Sequence, residues 1–435
     1  MFEKFSFSNI KEKFLKSSFL KDSAWAVIGN GLGSFLMLLA GIIIARLLGK
    51  EIYGEYGMVK VTMFNVAAFS TFGLSYTSTK FIAEYLSKKV NKVPSIARDA
   101  ITITLSTSVL LCILVIAFAE PLAKYCNAES LATPFRFLGI LIIFRAVSQV
   151  LVGIMAGFKL YKEQSVNNIL SGLLFVIICY PFTYCGGLMG ALAALSLYQI
   201  ILSVLNYITV NKALKVLRVD SEKSSSIRLL FNFSIPVACQ EFTYFIASWL
   251  SPILITRYAS LGELGIYNAC AQWYAICSYI PGLLRNVSLS YLSTANGQSI
   301  AQRSLINKIL FINLTSCFGV FLLVLLFSDV IVSFYGHTFI GMKTVLNVLI
   351  FSSIFQSVIV VFTDNMLAEG KNWQMFILRS LRDIFTVLAL FLVLTQITSE
   401  HAALSYSLVQ VIISLFYAGM LVLLYKVQHS SKKYN

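Results

Sequence analysis

Three cations, Lys60, Arg136 and Arg145, and two carboxylates, Glu241 and Asp364, interrupt stretches of sequence that are otherwise almost wholly apolar. A charge at bilayer depth is costly enough to mark a functional site by default, so depth is the first thing to judge. Arg136 stands at the edge of its apolar run and Lys60 about one turn inside its own, so both side chains can reach the interface by snorkelling. Arg145 sits near the middle of its run and cannot. Nine positions at 100° per residue place Arg136 and Arg145 on opposite helix faces. Arg145 is therefore the one expected to point into a central cavity, and Gln149, one turn further along, extends the same polar stripe. Glu241 lies at comparable depth in the second half of the chain, beside Gln240 and near Tyr244. It reads in two ways: as a structural ion pair with Arg145 that neutralises both charges, or as a carboxylate that takes up and releases a proton during a transport cycle.

Other polar positions carry less. Asp364 and Asn365 lie a few residues from Glu369, toward the cytoplasmic end of their run. Arg379 and Asp383 are four apart, so an ion pair along one helix surface is expected, leaving Arg382 free. Asn268 with Gln272, and Tyr406 with Gln410, share helix faces and suit hydrogen bonds between helices. No phosphate-cradling glycine motif occurs. The eight cysteines include no Cys-x-x-Cys pair, and His337, His401 and His429 are far apart, so neither a metal nor a cofactor is expected. The longest loop assigned to the outside, 328 to 343, leaves little room for a catalytic domain, so the chain does not read as an enzyme.

The elements that position these residues follow from composition. Of the 435 residues 58% are hydrophobic and only 12% charged, with a mean hydropathy of +0.80. Ordinary soluble domains carry about 25% charged residues, so this chain cannot cover a water-facing surface. The net charge of +15 would raise nucleic acid as a partner, but apolar runs of this length exclude it. A hydrocarbon core about 30 Å thick needs roughly 20 helical residues to cross it. Runs of that length fall near 24–46, 57–79, 100–119, 135–157, 165–185 and 188–210, and again near 229–256, 266–284, 306–327, 344–368, 375–396 and 403–425. The expected fold is an all-α polytopic membrane protein of about twelve transmembrane helices in two six-helix lobes. The lobes span 24–210 and 229–425, flanked by an amphipathic N-terminal segment 1–23, a polar linker 211–228 and a tail 426–435. With both termini in the cytoplasm, the inner segments hold 26 of the 34 Lys and Arg residues, as the positive-inside rule requires. No short apolar core with a small-residue cleavage site precedes the first span, so the N-terminal segment reads as retained. An internal repeat supports the two halves: at a constant offset of 211, Arg46, Gly54 and Tyr56 match Arg257, Gly265 and Tyr267. Asn30, flanked by Gly29, Gly31 and Gly33, is the counterpart of Glu241. Six spans per repeat is an even number, so the two lobes are related by a pseudo-two-fold axis along the membrane normal.

The segment from Arg46 to Tyr56, the Gly73-Leu74 pair, the basic stretch Lys80 to Lys92 and the twelve-span plan resemble the polysaccharide-transport branch of the multidrug/oligosaccharidyl-lipid/polysaccharide exporters. Within that branch the likeness is to the Wzx-type O-antigen flippases. The resemblance implies a cationic cavity between the lobes and alternating access in the bacterial inner membrane. It implies, as substrate, an undecaprenyl-diphosphate-linked glycan moved from the inner to the outer leaflet, coupled to a proton or a sodium ion. Membrane lipids, a polysaccharide polymerase and a chain-length regulator are the other implied partners. On this reading Arg145 is the main headgroup contact, because a planar guanidinium matches phosphate geometry. Lys60 and Arg46 assist at the outer end, with Gln149 and Asn30 in the same site, and Glu241 and Asp364 serve ion coupling or gating. The alternatives are a drug or cation exporter of the same superfamily, which would need an aromatic, anionic cavity, and a membrane polysaccharide polymerase or ligase, which would need a large outer loop.

Overall fold

A computed structural model describes residues 7–217, 227–278, 299–396 and 401–430; within these, the side chains of 7–28 and 231–241 are among those left undescribed. The described residues form helices and short connections, with no strand. In the first half these are α1 (Phe7–Ser70), α2 (Leu74–Lys88), α3 (Val93–Ala117), α4 (Ala119–Tyr125), α5 (Ala132–Gly157) and α6 (Tyr161–Val216). In the second half they are α7 (Ile227–Tyr258), α8 (Leu261–Cys277), α9 (Ser299–Tyr335), α10 (Met342–Ala368), α11 (Asn372–Gln396) and α12 (Ala402–Ser430). Among the described residues seven helices are long and apolar enough to cross a membrane.

Two of those helices are too long for one crossing, and glycine divides each of them. Gly49 in α1 has φ 72° and ψ 170°, and Gly187 in α6 has φ 53° and ψ −132°, conformations closed to most L side chains. Each marks a reversal between two antiparallel spans, and the sequence breaks expected after residues 46 and 185 fall beside them. The second span differs from expectation. Its apolar run continues from 57 to 79, but the helix stops at Ser70 and restarts at Leu74, with Phe72 and Gly73 both at positive φ. The residues from Ser70 to Thr79 are rich in Ser and Thr, a change of composition that the apolar-run reading passes over.

Within the first half, α5 lies against α1, α2, α3 and α6. The α2–α5 pair is pinned by side chain to backbone bonds, from Ser75 Oγ to the Gln149 carbonyl at 2.9 Å and from Thr79 Oγ1 to the Gly153 carbonyl at 2.8 Å. Such bonds occupy groups that lipid could not satisfy. In the second half α8, α9, α11 and α12 pack against α10, and α8 and α11 also pack against α7.

The two halves meet along α1 beyond Gly49 and α8. A methyl group on Gly54 would overlap the Leu261 carbonyl, and one on Gly265 would overlap the Lys50 carbonyl, so only glycine permits this approach. These are the two glycines matched by the 211-residue repeat. The relation extends in both directions: Gly262 faces its repeat mate Glu51, and Gly57 faces its repeat mate Asn268. Three successive pairs of mates touching at a spacing of three means that the two helices run parallel to each other and alongside the pseudo-two-fold axis.

Candidate functional site

Below this seam lies an open cavity of about 650 Å³. Its walls come from α1, α2, α5 and α6, and α8 of the second half closes one side with Gln272, Ala275 and Ile276. Lys60 and Arg145 both line it, and no Asp or Glu does among the described residues. Both cations converge on one ring: the Arg145 guanidinium lies 4.6 Å from the centroid of Phe64 and the Lys60 ammonium 5.8 Å from it, with the Tyr56 ring also 5.8 Å from Lys60. The electron-rich face of an aromatic ring stabilises a cation without neutralising it. Nε of Arg145 is buried and has no hydrogen-bond partner among the described residues. A buried donor left in this way costs free energy unless something occupies it.

Further polar groups surround the two cations. Asn168 donates from Nδ2 to Asn30 Oδ1 at 3.0 Å, which fixes both amides on the wall. Behind the wall Asn167 donates to Asn206 Oδ1 at 3.0 Å, and Asn206 Nδ2 donates to Ser148 Oγ at 3.1 Å, orienting that hydroxyl at the cavity edge. Gln149 lines the cavity with its Oε1 buried and unpartnered, and Gln272 does the same. Tyr198 completes this side, packed against Phe175 at 5.1 Å between centroids.

Of the expected site residues, the structure gathers Arg145, Lys60, Gln149 and Asn30 around one cavity. Lys60 lines the cavity, although its place about one turn into the apolar run had left the interface open to it. Arg46 is exposed, near Gly336, and does not belong to the lining, so its expected contact with the headgroup at the outer end has no counterpart in this arrangement. Asp364 is buried in α10, in the second half, and is not part of the cavity wall. The side chain of Glu241 lies outside the described residues, and with it the pairing to Arg145. Arg136 pairs with Glu120 at 2.6 Å in an exposed position, as a snorkelling residue does.

The charges of α11 differ from expectation. Asp383 bonds its neighbour Arg382, with Nε at 2.9 Å and Nη2 at 2.6 Å, whereas Arg379 stacks 5.3 Å from the Tyr244 centroid. Spacing of four brings two residues to one face, but here the planar guanidinium of the adjacent residue folds back and gives two donors to Oδ1 of the carboxylate, leaving Oδ2 buried with no partner among the described residues. Residue spacing assigns Gln272 only to helix pairing. Its Nε2 does donate to the Tyr53 hydroxyl, across the lobe boundary, while the residue also lines the cavity and its buried carbonyl packs on Gly41. Asn168, Ser148 and Tyr198 join the site without a warning from depth or charge, although Ser148 stands next to Gln149 in the polar stripe.

A family model described as "Polysaccharide biosynthesis protein" matches residues 19–284. The chain belongs to that family. It is 23% identical over 305 residues to Stage V sporulation protein B of Bacillus subtilis (strain 168), a match that takes in 66% of this chain and 59% of that protein. The fold is that of a multidrug resistance MATE family transporter of the MOP superfamily: against its inward-facing structure the TM-score is 0.81 at 15% identity, covering 94% of this chain and 99% of that one. Against an outward-facing MATE structure the TM-score is 0.69 at 15% identity, over 96% of each chain. The two-lobe, twelve-helix plan is thereby shown, and the chain is a multi-pass membrane protein of a transporter fold. The resemblance to the Wzx-type flippases is consistent with both findings.

Proposed function

We propose that this protein moves the anionic headgroup of an undecaprenyl-diphosphate-linked oligosaccharide from the inner to the outer leaflet. The observation that carries this reading is the cavity with two cations, Lys60 and Arg145, and no acidic side chain in its described wall. A diphosphate is strongly hydrated, and taking it out of water is prohibitive unless charge and hydrogen bonds replace the lost hydration. Arg145 supplies a planar fork of donors and Lys60 a point charge, while Asn30, Asn168, Ser148 and Gln149 offer amide and hydroxyl groups to sugar. The apolar prenyl chain needs no such wall and stays in lipid. Membership of a polysaccharide biosynthesis family supports the same substrate class.

The seam through Gly54 and Gly265 closes one end of the cavity. We assign that end to the outside and both termini to the cytoplasm of a bacterial inner membrane, a reading that the distribution of Lys and Arg supports. Transport then requires the lobes to part at the seam and close at the opposite end. We assign ion coupling, to a proton or sodium, to Glu241 and Asp364, and no enzymatic step. A polysaccharide polymerase and a chain-length regulator would receive the product.

The MATE-like fold also suits a drug or cation exporter. That reading loses support from the charge of the cavity, which would repel an organic cation. The test is surface polysaccharide in cells that depend on this chain. Arg145→Ala at normal abundance is expected to abolish it, and normal polysaccharide would show the headgroup assignment to be wrong. For coupling, Glu241→Gln is expected to flatten the pH dependence of transport, and an unchanged profile would remove Glu241 from that role.

A further inference from the structure

One side chain belongs to both the cavity and the seam. Gln272 is the polar group that α8 contributes to the described wall, the rest of its contribution being Ala275 and Ile276. Its Nε2 donates to the hydroxyl of Tyr53, a residue of α1 that is 1% exposed and lies one position before Gly54 of the seam. Its amide packs on the bare backbone of Gly41, on the other arm of α1. The amide of one lobe is therefore wedged between the two arms of the other lobe, beneath the bend at Gly49. Its carbonyl, Oε1, is buried and accepts no hydrogen bond from any described residue.

We propose that Gln272 is a latch by which a bound glycan releases the outer seam. Its Nε2 holds α8 to Tyr53 and keeps Gly54 against Gly265, while its unpartnered Oε1, packed on Gly41 at the cavity wall, becomes the acceptor for a hydroxyl donor once the amide turns inward. A diphosphate diester has no proton to give at neutral pH, so this acceptor reads the sugar that follows the diphosphate, while Arg145 and Lys60 hold the phosphates. An amide turned toward a sugar hydroxyl loses its alignment with Tyr53. The seam, which the amide bonded from below, then opens more readily. Binding energy from the sugar thereby drives the conformational step, and a headgroup without sugar binds but does not open the seam. This inference rests on the substrate class proposed above.

Hydrogen exchange on the full chain in lipid nanodiscs tests it, reading the amides of segments 50–58 and 261–268. Without ligand, Gln272→Leu and Tyr53→Phe are each expected to speed exchange there about fivefold, the effect of losing one buried neutral hydrogen bond. Tyr53→Phe keeps the ring and its packing, so it reads the latch even if Gln272→Leu folds poorly. In the wild type, undecaprenyl diphosphate carrying one hexose is expected to speed exchange, and undecaprenyl diphosphate alone to bind without doing so. In Gln272→Leu both probes should bind and neither should change exchange further. Wild-type exchange rates in both ligand-free variants would overturn the latch, as would equal responses to the two probes in the wild type. Failure of either probe to bind the wild type would overturn the substrate class instead, and the ligand-free comparison would then decide whether Gln272 holds the seam.

Discussion

The two halves share one plan and treat their charges differently. In the first half Lys60 and Arg145 face a cavity, stabilised by aromatic rings and opposed by no carboxylate in its described wall. In the second half two buried or partly buried carboxylates have charged partners: Arg382 bonds Asp383, and Glu369 is held by Lys371 at 2.6 Å and by Asn365 and Gln302. Paired charges satisfy one another and leave little for a ligand, whereas an unopposed cation retains its full demand for an anion. On the proposed function, one repeat would carry the binding chemistry and the other would supply closure, with Gln272 as its reach into the first.

The comparison breaks most visibly at Arg145. Arg145→Ala should lower headgroup transport by about a hundredfold, on the order of 3 kcal/mol for a lost charged contact, while the thermal unfolding midpoint in detergent stays near wild type. Paired charges should show the opposite pattern. Asp383→Asn strands Arg382 and should lower stability by roughly 2 kcal/mol, a partly buried pair contributing less than a fully buried one. The double replacement Arg382→Met with Asp383→Leu should restore most of that loss, because removing both partners leaves no orphan charge. If Arg145→Ala destabilises as much as Asp383→Asn, the contrast between the halves is wrong.

A smaller effect belongs to Lys60, a point charge without a fork. Lys60→Gln should reduce transport about tenfold, near 1.4 kcal/mol, and Lys60→Arg should recover most of it, measured as initial flipping rate. The smallest effect is pH-dependent. Burial would raise the Glu369 carboxyl, but hydrogen bonds and the charge of Lys371 prevail and hold it below the ordinary glutamate range. Its stabilising contribution is then present above the unfolded value near 4.5 and lost as pH falls through the lower folded value. Wild-type stability should therefore decline in that acid window more than that of Glu369→Gln, in matched thermal melts across pH.

What is legible in the sequence divides from the rest along a physical line. The number of spans and the breaks near Gly49 and Gly187 are properties of one segment, and hydropathy with helical periodicity reports them. The repeat also singles out Gly54 and Gly265, the two residues that touch at the seam. What stays hidden depends on which helix faces which. Spacing pairs Arg379 with Asp383, yet Arg382 is the partner. A single span drawn over 57–79 hides the break at Phe72 and Gly73, although the Ser- and Thr-rich residues 70–79 mark the change and only the backbone shows the positive φ. Arg46 lies at a plausible depth, and only packing shows it outside the cavity wall. Gln272 has the spacing of ordinary interhelical glue, and its second role depends on a cavity formed by the opposite lobe.

The central claim is that unopposed cations in the first-half cavity carry an anionic glycolipid headgroup. Its most direct measurement is flipping of an undecaprenyl-diphosphate-linked oligosaccharide in proteoliposomes containing the purified chain, followed by lectin access to the headgroup. Wild-type protein should expose the labelled glycan on the opposite leaflet and Arg145→Ala should not, at equal reconstitution. Equal rates from both, or transport of an organic cation in place of the glycolipid, would contradict the account.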